Sequence, residues 1–327
     1  MSGRAPTMPP SLAAVPGTAA AVPEPLHLKA ADGVPLGGWQ WRSPQRASDT
    51  ASPIVIINCA TSVRCRYYAR FAADLHAHGF DVITFDYRGI GESRPAALRG
   101  FDASWSDWGR LDFEAVLDHA ARAFPDRPID VVAHSFGGCA AGLAPSAHRI
   151  RRLVTVGAQF AYWRDYAPAE RWRMVAKWHV AMPALAACLG YVPAKRLGWM
   201  EDTPRGVALD WAAMAPRFEH RPSARRTASG PPPGFAEAKA DILAISLTDD
   251  PFGTIPAIER LLGYFSASHR THLRLAPADI GVEDIGHFAF FHSRFQPTLW
   301  PLAHAWLRDG ALPAATPGTL VSRTPPG

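Results

Sequence analysis

Short apolar runs alternate with helix-spaced stretches along most of this chain. Pro53–Asn58, Val82–Phe85, Ile129–Val132, Leu153–Val156 and Ile242–Leu247 are continuous or nearly continuous apolar runs, and Thr271–Leu275 reads as a further strand. That is the pattern of strands buried on both faces of a parallel sheet. Between them, Arg66–His78 carries Tyr67, Phe71 and Leu75 at helical spacing and stops at Gly79, a residue suited to a helix C-terminus. Trp105–Phe124, Ile255–Phe265 and Phe295–Leu307 read as further helices. Ahead of them, Leu26–Lys29 and Leu36–Trp41 flank Ala31-Asp32-Gly33 as the two arms of a hairpin. The alternation predicts an α/β fold built on a mostly parallel, doubly wound sheet.

The alternation stops between Phe160 and about Pro233. That stretch holds Trp163, Trp172, Trp178, Trp199 and Trp211 in helix-like pieces with no clear β run. It is too long and too aromatic for an ordinary loop, so a helical cap is predicted over residues 159–235, inserted between sheet strands. The core is then expected over 26–158 and 236–308. Prolines at 6, 9, 10, 16, 23 and 25 interrupt every apolar stretch of residues 1–25. Residues 1–25 therefore read as a disordered leader and 309–327 as a disordered tail.

Composition narrows the class. With 48% apolar and 19% charged residues, 327 residues can bury one large core or two small ones. The net charge of +5 is mild, and its densest crowding, at Arg221, Arg225 and Arg226, reads as a solvated loop, so no nucleic-acid partner is expected. No window approaches the ~20 apolar residues of a membrane span, and no stable membrane insertion is expected. The four cysteines, Cys59, Cys65, Cys139 and Cys188, have no metal-ligand spacing; reduced thiols in a cytoplasmic protein, with no metal, are the simpler reading.

The chemistry lies at the ends of the apolar runs. Ala133-His134-Ser135-Phe136-Gly137-Gly138 follows the Ile129–Val132 strand and opens an Ala/Gly-rich helix. A serine at such a sharp strand-to-helix turn, with small neighbours, is placed as an exposed nucleophile. An acid and a histidine should follow in that order. Thr248-Asp249-Asp250-Pro251 closes the Ile242–Leu247 strand, where a carboxylate points into the crevice at the strand ends; Asp250 is preferred and Asp249 held in reserve. His287, in Asp284-Ile285-Gly286-His287-Phe288, comes next and can accept and return the serine proton. Backbone amides of Phe136 and of the Ala60–Ser62 turn, with Thr61 the working choice, would stabilise an oxyanion. His134 adjoins the serine too closely in a sharp turn to be its base, so packing or hydrogen bonding beneath the turn is expected. Cys139 reads as a buried small apolar residue. Arg88-Gly89-Ile90-Gly91-Glu92-Ser93 lacks the remainder of a phosphate-binding motif and reads as a tight structural turn.

Phe85-Asp86-Tyr87-Arg88-Gly89-Ile90-Gly91-Glu92-Ser93, the turn around Ser135, Asp250-Pro251 and Gly286-His287 together resemble the α/β-hydrolase superfamily across residues 26–308. Leu197-Gly198, the run Glu201-Asp202-Thr203-Pro204-Arg205-Gly206 and the aromatics after His287 look most like a bacterial group of serine hydrolases of unsettled substrate. The chain departs from the usual pattern at Ala133, where the superfamily commonly has Gly. The resemblance implies Ser135 as nucleophile, Asp250 as acid and His287 as base. The expected activity is cleavage of a small-molecule carboxylic ester through an acyl-enzyme, with no cofactor. A thioesterase, amidase or acyltransferase using the same residues is the alternative, and a non-catalytic ligand-binding relative the more distant one. Nothing in the sequence speaks to oligomeric state.

Overall fold

A computed structural model of the chain describes residues 22–44, 49–220 and 232–327. Most of the expected leader lies outside the described residues, as do Arg221, Arg225 and Arg226. The strands are β1 (Glu24–Lys29), β2 (Pro35–Trp41), β3 (Ile54–Asn58), β4 (Asp81–Phe85), β5 (Ile129–His134) and β6 (Ile150–Val156). After them come β7 (Tyr191–Val192), β8 (Thr203–Pro204), β9 (Asp241–Leu247), β10 (His269–Leu275) and β11 (Thr319–Thr324). All but β7 and β8 form one nine-stranded sheet in the order β1-β2-β4-β3-β5-β6-β9-β10-β11. From β4 to β10 every neighbouring pair is parallel. The hairpin β1–β2 continues the sheet antiparallel beyond β4. The centre of the sheet is dry: every residue of β3 and β5 is buried, as their largely apolar sequences require.

The helices that matter for the site are α1 (Ala69–Ala77), α2 (Trp105–Asp107), α3 (Glu114–Ala123) and α4 (Phe136–Leu143). The predicted helix Trp105–Phe124 is continuous in direction but widens into a π-helical turn over Trp108–Phe113. Between β6 and β9 the chain forms α5 (Arg171–Val175), α6 (Met182–Leu189), α7 (Arg205–Ala212) and α8 (Pro233–Glu237), with β7 and β8 paired as a two-residue ribbon. The core closes with α9 (Ile255–Leu262) and α10 (Trp300–Asp309). The last helix begins five residues later than predicted because Ser293–Phe295 makes a separate 3₁₀ turn before it.

One expectation fails at the C-terminus. Residues 309–327 do not form a disordered tail: β11 pairs antiparallel with β10 along its outer edge. The reason is long-range. An open strand edge presents a row of unpaired backbone groups, and β11 satisfies the one β10 would leave bare. Gly318 makes the approach possible, since a Cβ there would stand 2.5 Å from the Arg274 carbonyl oxygen. The Ser322 hydroxyl donates to Glu259 at 2.8 Å and fixes the strand to α9.

The glycine-rich turn after β4 is structural, as its sequence suggested. Asp86 accepts from the amides of Cys65 (2.6 Å) and Glu92 (2.9 Å), and a Cβ on Gly91 would collide with its carboxylate at 2.0 Å. Arg88 is committed to Asp112 (Nε–Oδ1 2.7 Å) and Asp32 (Nη1–Oδ2 2.6 Å), so its charge is not available for a phosphate. Asp112 is fully buried. Removing Arg88 would leave the Asp112 carboxyl buried without its cation, and breaking a buried pair typically costs about 3–5 kcal/mol. Arg88→Ala should therefore lower the free energy of unfolding in urea by that order, and a loss under about 1 kcal/mol would show that the pair does not carry this turn.

Candidate active site

Ser135 sits alone between the end of β5 and the start of α4, with φ 53° and ψ −121°. A non-glycine residue at positive φ costs on the order of 1–3 kcal/mol and persists only where its surroundings over-determine it. Here they do. The Ser135 amide donates to the Val156 carbonyl at 3.0 Å, which extends the β5–β6 pairing into the turn. On the other side α4 is pressed against the sheet. A Cβ on Gly137 would lie 2.5 Å from the Asn58 carbonyl oxygen, and one on Gly138 would lie 2.6 Å from Ala158 Cβ. The two glycines of the motif are thus required by the packing of α4, while Ala133 fits fully buried within β5.

Asp250 and His287 meet beyond the ends of β9 and β10. His287 Nδ1 donates to Asp250 Oδ2 at 2.7 Å, and Asp250 Oδ1 accepts from the Phe252 amide at 2.8 Å. Both side chains are buried. Burial alone would raise the Asp250 carboxyl; the charge and hydrogen bond of His287, helped by the Gly253 and Phe252 amides, more than offset it and hold it below the usual range. With Nδ1–H spent on the carboxylate, Nε2 is left as the acceptor. Gly157 lets this pair close up: it has φ +56°, and a Cβ there would stand 2.9 Å from Asp250 Oδ2 and 3.1 Å from His287 Nδ1. Asp249, the reserve acid, serves elsewhere. Its Oδ2 accepts from the amides of Ile285 and Gly286, both at 2.8 Å, and so anchors the loop that carries His287.

A buried chain of hydrogen bonds ties these loops together. The Ala60 amide donates to the Tyr68 hydroxyl (3.0 Å), Tyr68 contacts His134 Nδ1 (2.7 Å), and His134 Nε2 contacts the His287 carbonyl oxygen (2.8 Å). A carbonyl can only accept, so Nε2 carries the hydrogen, and Nδ1 accepts from Tyr68. In the neutral His134 ring both nitrogens are then satisfied. Burial, with His287 nearby, pushes its pKa down to about 3. The expectation that His134 bonds beneath the turn is met; its two partners, one 66 residues before it and one 153 after, could not be read from local sequence.

The same chain narrows the turn after β3. The Ala60 amide is committed to Tyr68. Among the described residues, the amides of Thr61 and Phe136 donate to no protein group. Ser62 holds φ 56°; its hydroxyl lies 2.7 Å from Thr203 Oγ1, and its carbonyl accepts from the Glu201 amide at 3.0 Å. Arg64 adds an ion pair to Glu201 at 2.9 Å. The turn bearing Thr61 is thus pinned by Tyr68 below and by the β6–β9 insertion above.

Ser135, Phe136, Thr61 and His287 line one cavity of about 180 Å³. Its other walls are largely aromatic. Trp178 stacks on Trp211 with ring centres 4.7 Å apart, and Trp105 stacks on Phe136 at 4.8 Å. Phe252 and Met214 complete the apolar surface, and Cys139 lines it as a buried thiol. Two further lining residues, Gln159 and Lys177, did not stand out in the sequence. The available signal for Gln159 was its place just past the end of β6, at the sheet edge where this architecture binds ligands.

Sheet order and strand connections define a class: the chain has the α/β-hydrolase fold. Residues 51–210 match the family model described as serine aminopeptidase, S33. Among solved structures, a soluble variant of monoglyceride lipase from Saccharomyces cerevisiae, in complex with a substrate analog, is similar at 15% identity and a TM-score of 0.58, covering 93% of this chain and 100% of that one. An esterase from Pyrococcus furiosus is similar at 13% identity and TM-score 0.56, over 89% of this chain and 91% of that one. A hydrolase from Pseudomonas aeruginosa is similar at 18% identity and TM-score 0.52, over 86% and 97%. No curated protein matches the chain by sequence. No helix among the described residues is long and apolar enough to cross a membrane.

The buried neutral histidine has a consequence for acid stability. The His134 folded-state pKa of about 3 lies below the ordinary 6.5, so below pH 6.5 the unfolded chain binds a proton that the folded one refuses. Its contribution to stability is whole above pH 6.5 and is lost as the pH falls toward 3, by up to about 1.4 kcal/mol per unit. Urea unfolding of wild type and His134→Asn at pH 7.5 and pH 5 should show a smaller acid-side loss in the variant. Equal losses in the two proteins would remove His134 from that role.

Proposed function

We propose that this chain is a serine hydrolase that cleaves a small carboxylic ester through an acyl-enzyme. The observation that carries this reading is the buried Asp250–His287 hydrogen bond of 2.7 Å at a cavity into which Ser135 projects from a strained turn. Ser135 Oγ attacks the carbonyl carbon while its proton passes to His287 Nε2; Asp250 holds the ring and stabilises the imidazolium. The amides of Phe136 and Thr61 donate to the oxyanion, each such contact being worth about 2.7–4 kcal/mol in the transition state. The imidazolium then protonates the departing alkoxide, and water, deprotonated by His287, releases the acid and restores Ser135. The β6–β9 insertion, through Trp178, Trp199 and Trp211, supplies part of the aromatic wall that selects the substrate.

Amide cleavage is the second reading, and the match of residues 51–210 to a serine aminopeptidase family model favours it. The same residues can serve both, with His287 protonating a departing amine. Paired 4-nitrophenyl esters and 4-nitroanilides of one acyl group separate the two. Faster kcat/KM on the ester by more than the intrinsic reactivity difference supports the esterase. A preference for the anilide transfers the assignment to an amidase. In either case Ser135→Ala and Asp250→Asn should each lower kcat by about 10⁴-fold or more. Full turnover by Ser135→Ala would overturn the proposal.

A further inference from the structure

The cavity contains two side chains that a plain alkyl or aryl ester would leave without purpose. Gln159 is 6% exposed, and its Oε1 has no hydrogen-bond partner among the described residues. Burying an amide without a partner costs about 1–3 kcal/mol, so such a group in a cavity wall marks where a ligand's polar atoms go. Lys177 lies at the half-buried rim. Its Nζ stands 4.2 Å from the ring centre of Trp178 and 4.8 Å from that of Trp199. No aspartate or glutamate lines the cavity, and Lys177 makes no ion pair among the described residues. Burial, with Arg173 nearby, lowers its pKa, the signature of a cation that no carboxylate supports. A lysine held over two indoles without a counter-ion leaves the rim positive.

Resting on the esterase or amidase reading of the site, we propose that its substrate is an anionic, polar-substituted carbonyl compound. An apolar body about the size of one aromatic ring sits among Trp105, Trp178, Trp211 and Phe252. An amide or hydroxyl on that body meets Gln159, and a carboxylate meets Lys177. The size follows from the cavity of about 180 Å³, since a cavity of about 150 Å³ holds benzene. The two polar groups give orientation, and the aromatic walls give most of the apolar contact. The low polarity around Lys177 strengthens its attraction for an anion relative to a lysine in open water.

Binding to the Ser135→Ala protein tests this without requiring turnover. Three matched probes suffice: hippurate, which has ring, amide and carboxylate; hippuramide, in which the carboxylate is a neutral carboxamide; and 3-benzoylpropionate, in which the amide N–H is replaced by CH₂. Calorimetry should find hippurate about tenfold tighter than each of the others. Adding Lys177→Met should erase the preference over hippuramide, and adding Gln159→Leu the preference over 3-benzoylpropionate. Equal affinities within twofold on the Ser135→Ala protein, or preferences that survive the second substitutions, would overturn the proposal. The first comparison needs no change at either proposed residue, so a misfolded variant cannot mask the answer. Failure of the hydrolysis assay with these preferences intact would count against the catalytic reading alone.

Discussion

The arrangement of this site depends on a neutral imidazole in a place where water cannot reach it. His134 lies directly beneath the Ser135 turn, and through it the turn after β3, Tyr68 just ahead of α1 and the loop of His287 share one hydrogen-bonded chain. Each member is satisfied only in one tautomer, with Tyr68 donating to His134 and His134 donating to the His287 carbonyl. A fully satisfied buried network of this kind rigidifies its surroundings, whereas a half-satisfied one costs more than an apolar core. Three segments distant in sequence are thereby held in register by two side chains that need not touch a substrate.

Around that chain, the backbone geometry does the remaining positioning. Ser135 is strained, and the strain is maintained by the β6 carbonyl on one side and by the close approach of Gly137 and Gly138 on the other. Gly157, with no side chain, leaves the space in which Asp250 and His287 meet. Asp249 anchors the loop, and Asp250 holds the ring, so two adjacent carboxylates perform different tasks because one faces backbone amides and the other a buried imidazole. The β6–β9 insertion is coupled to this frame through Ser62–Thr203 and Arg64–Glu201. A change in the insertion would reach the Thr61 amide directly.

Much of this was legible in the chain. Most of the parallel strands announced themselves as largely apolar runs, and Ser135, Asp250 and His287 followed strands in the expected order. What could not be read was whatever depends on partners far apart in sequence. Tyr68 did not stand out within Arg66–His78, because its hydroxyl acquires meaning only when β5 is placed beside β3. The C-terminal residues looked disordered for the same reason: Leu320 and Val321 among Gly, Pro and Ser carry a weak local β signal, and the open edge of β10 that recruits them is a property of the assembled sheet. Gln159 and Lys177 were invisible individually, since a single Gln or Lys is ordinary until its neighbours are known to be indole and phenyl rings.

The central claim is that Ser135 is a nucleophile activated by His287. Incubation of the wild-type protein with a fluorophosphonate, followed by intact-mass and peptide mass spectrometry, addresses it most directly. The account predicts one phosphonyl adduct per chain, located on Ser135 and absent from His287→Ala. A folded protein that takes up no label, or one labelled elsewhere with Ser135 unmodified, would contradict it.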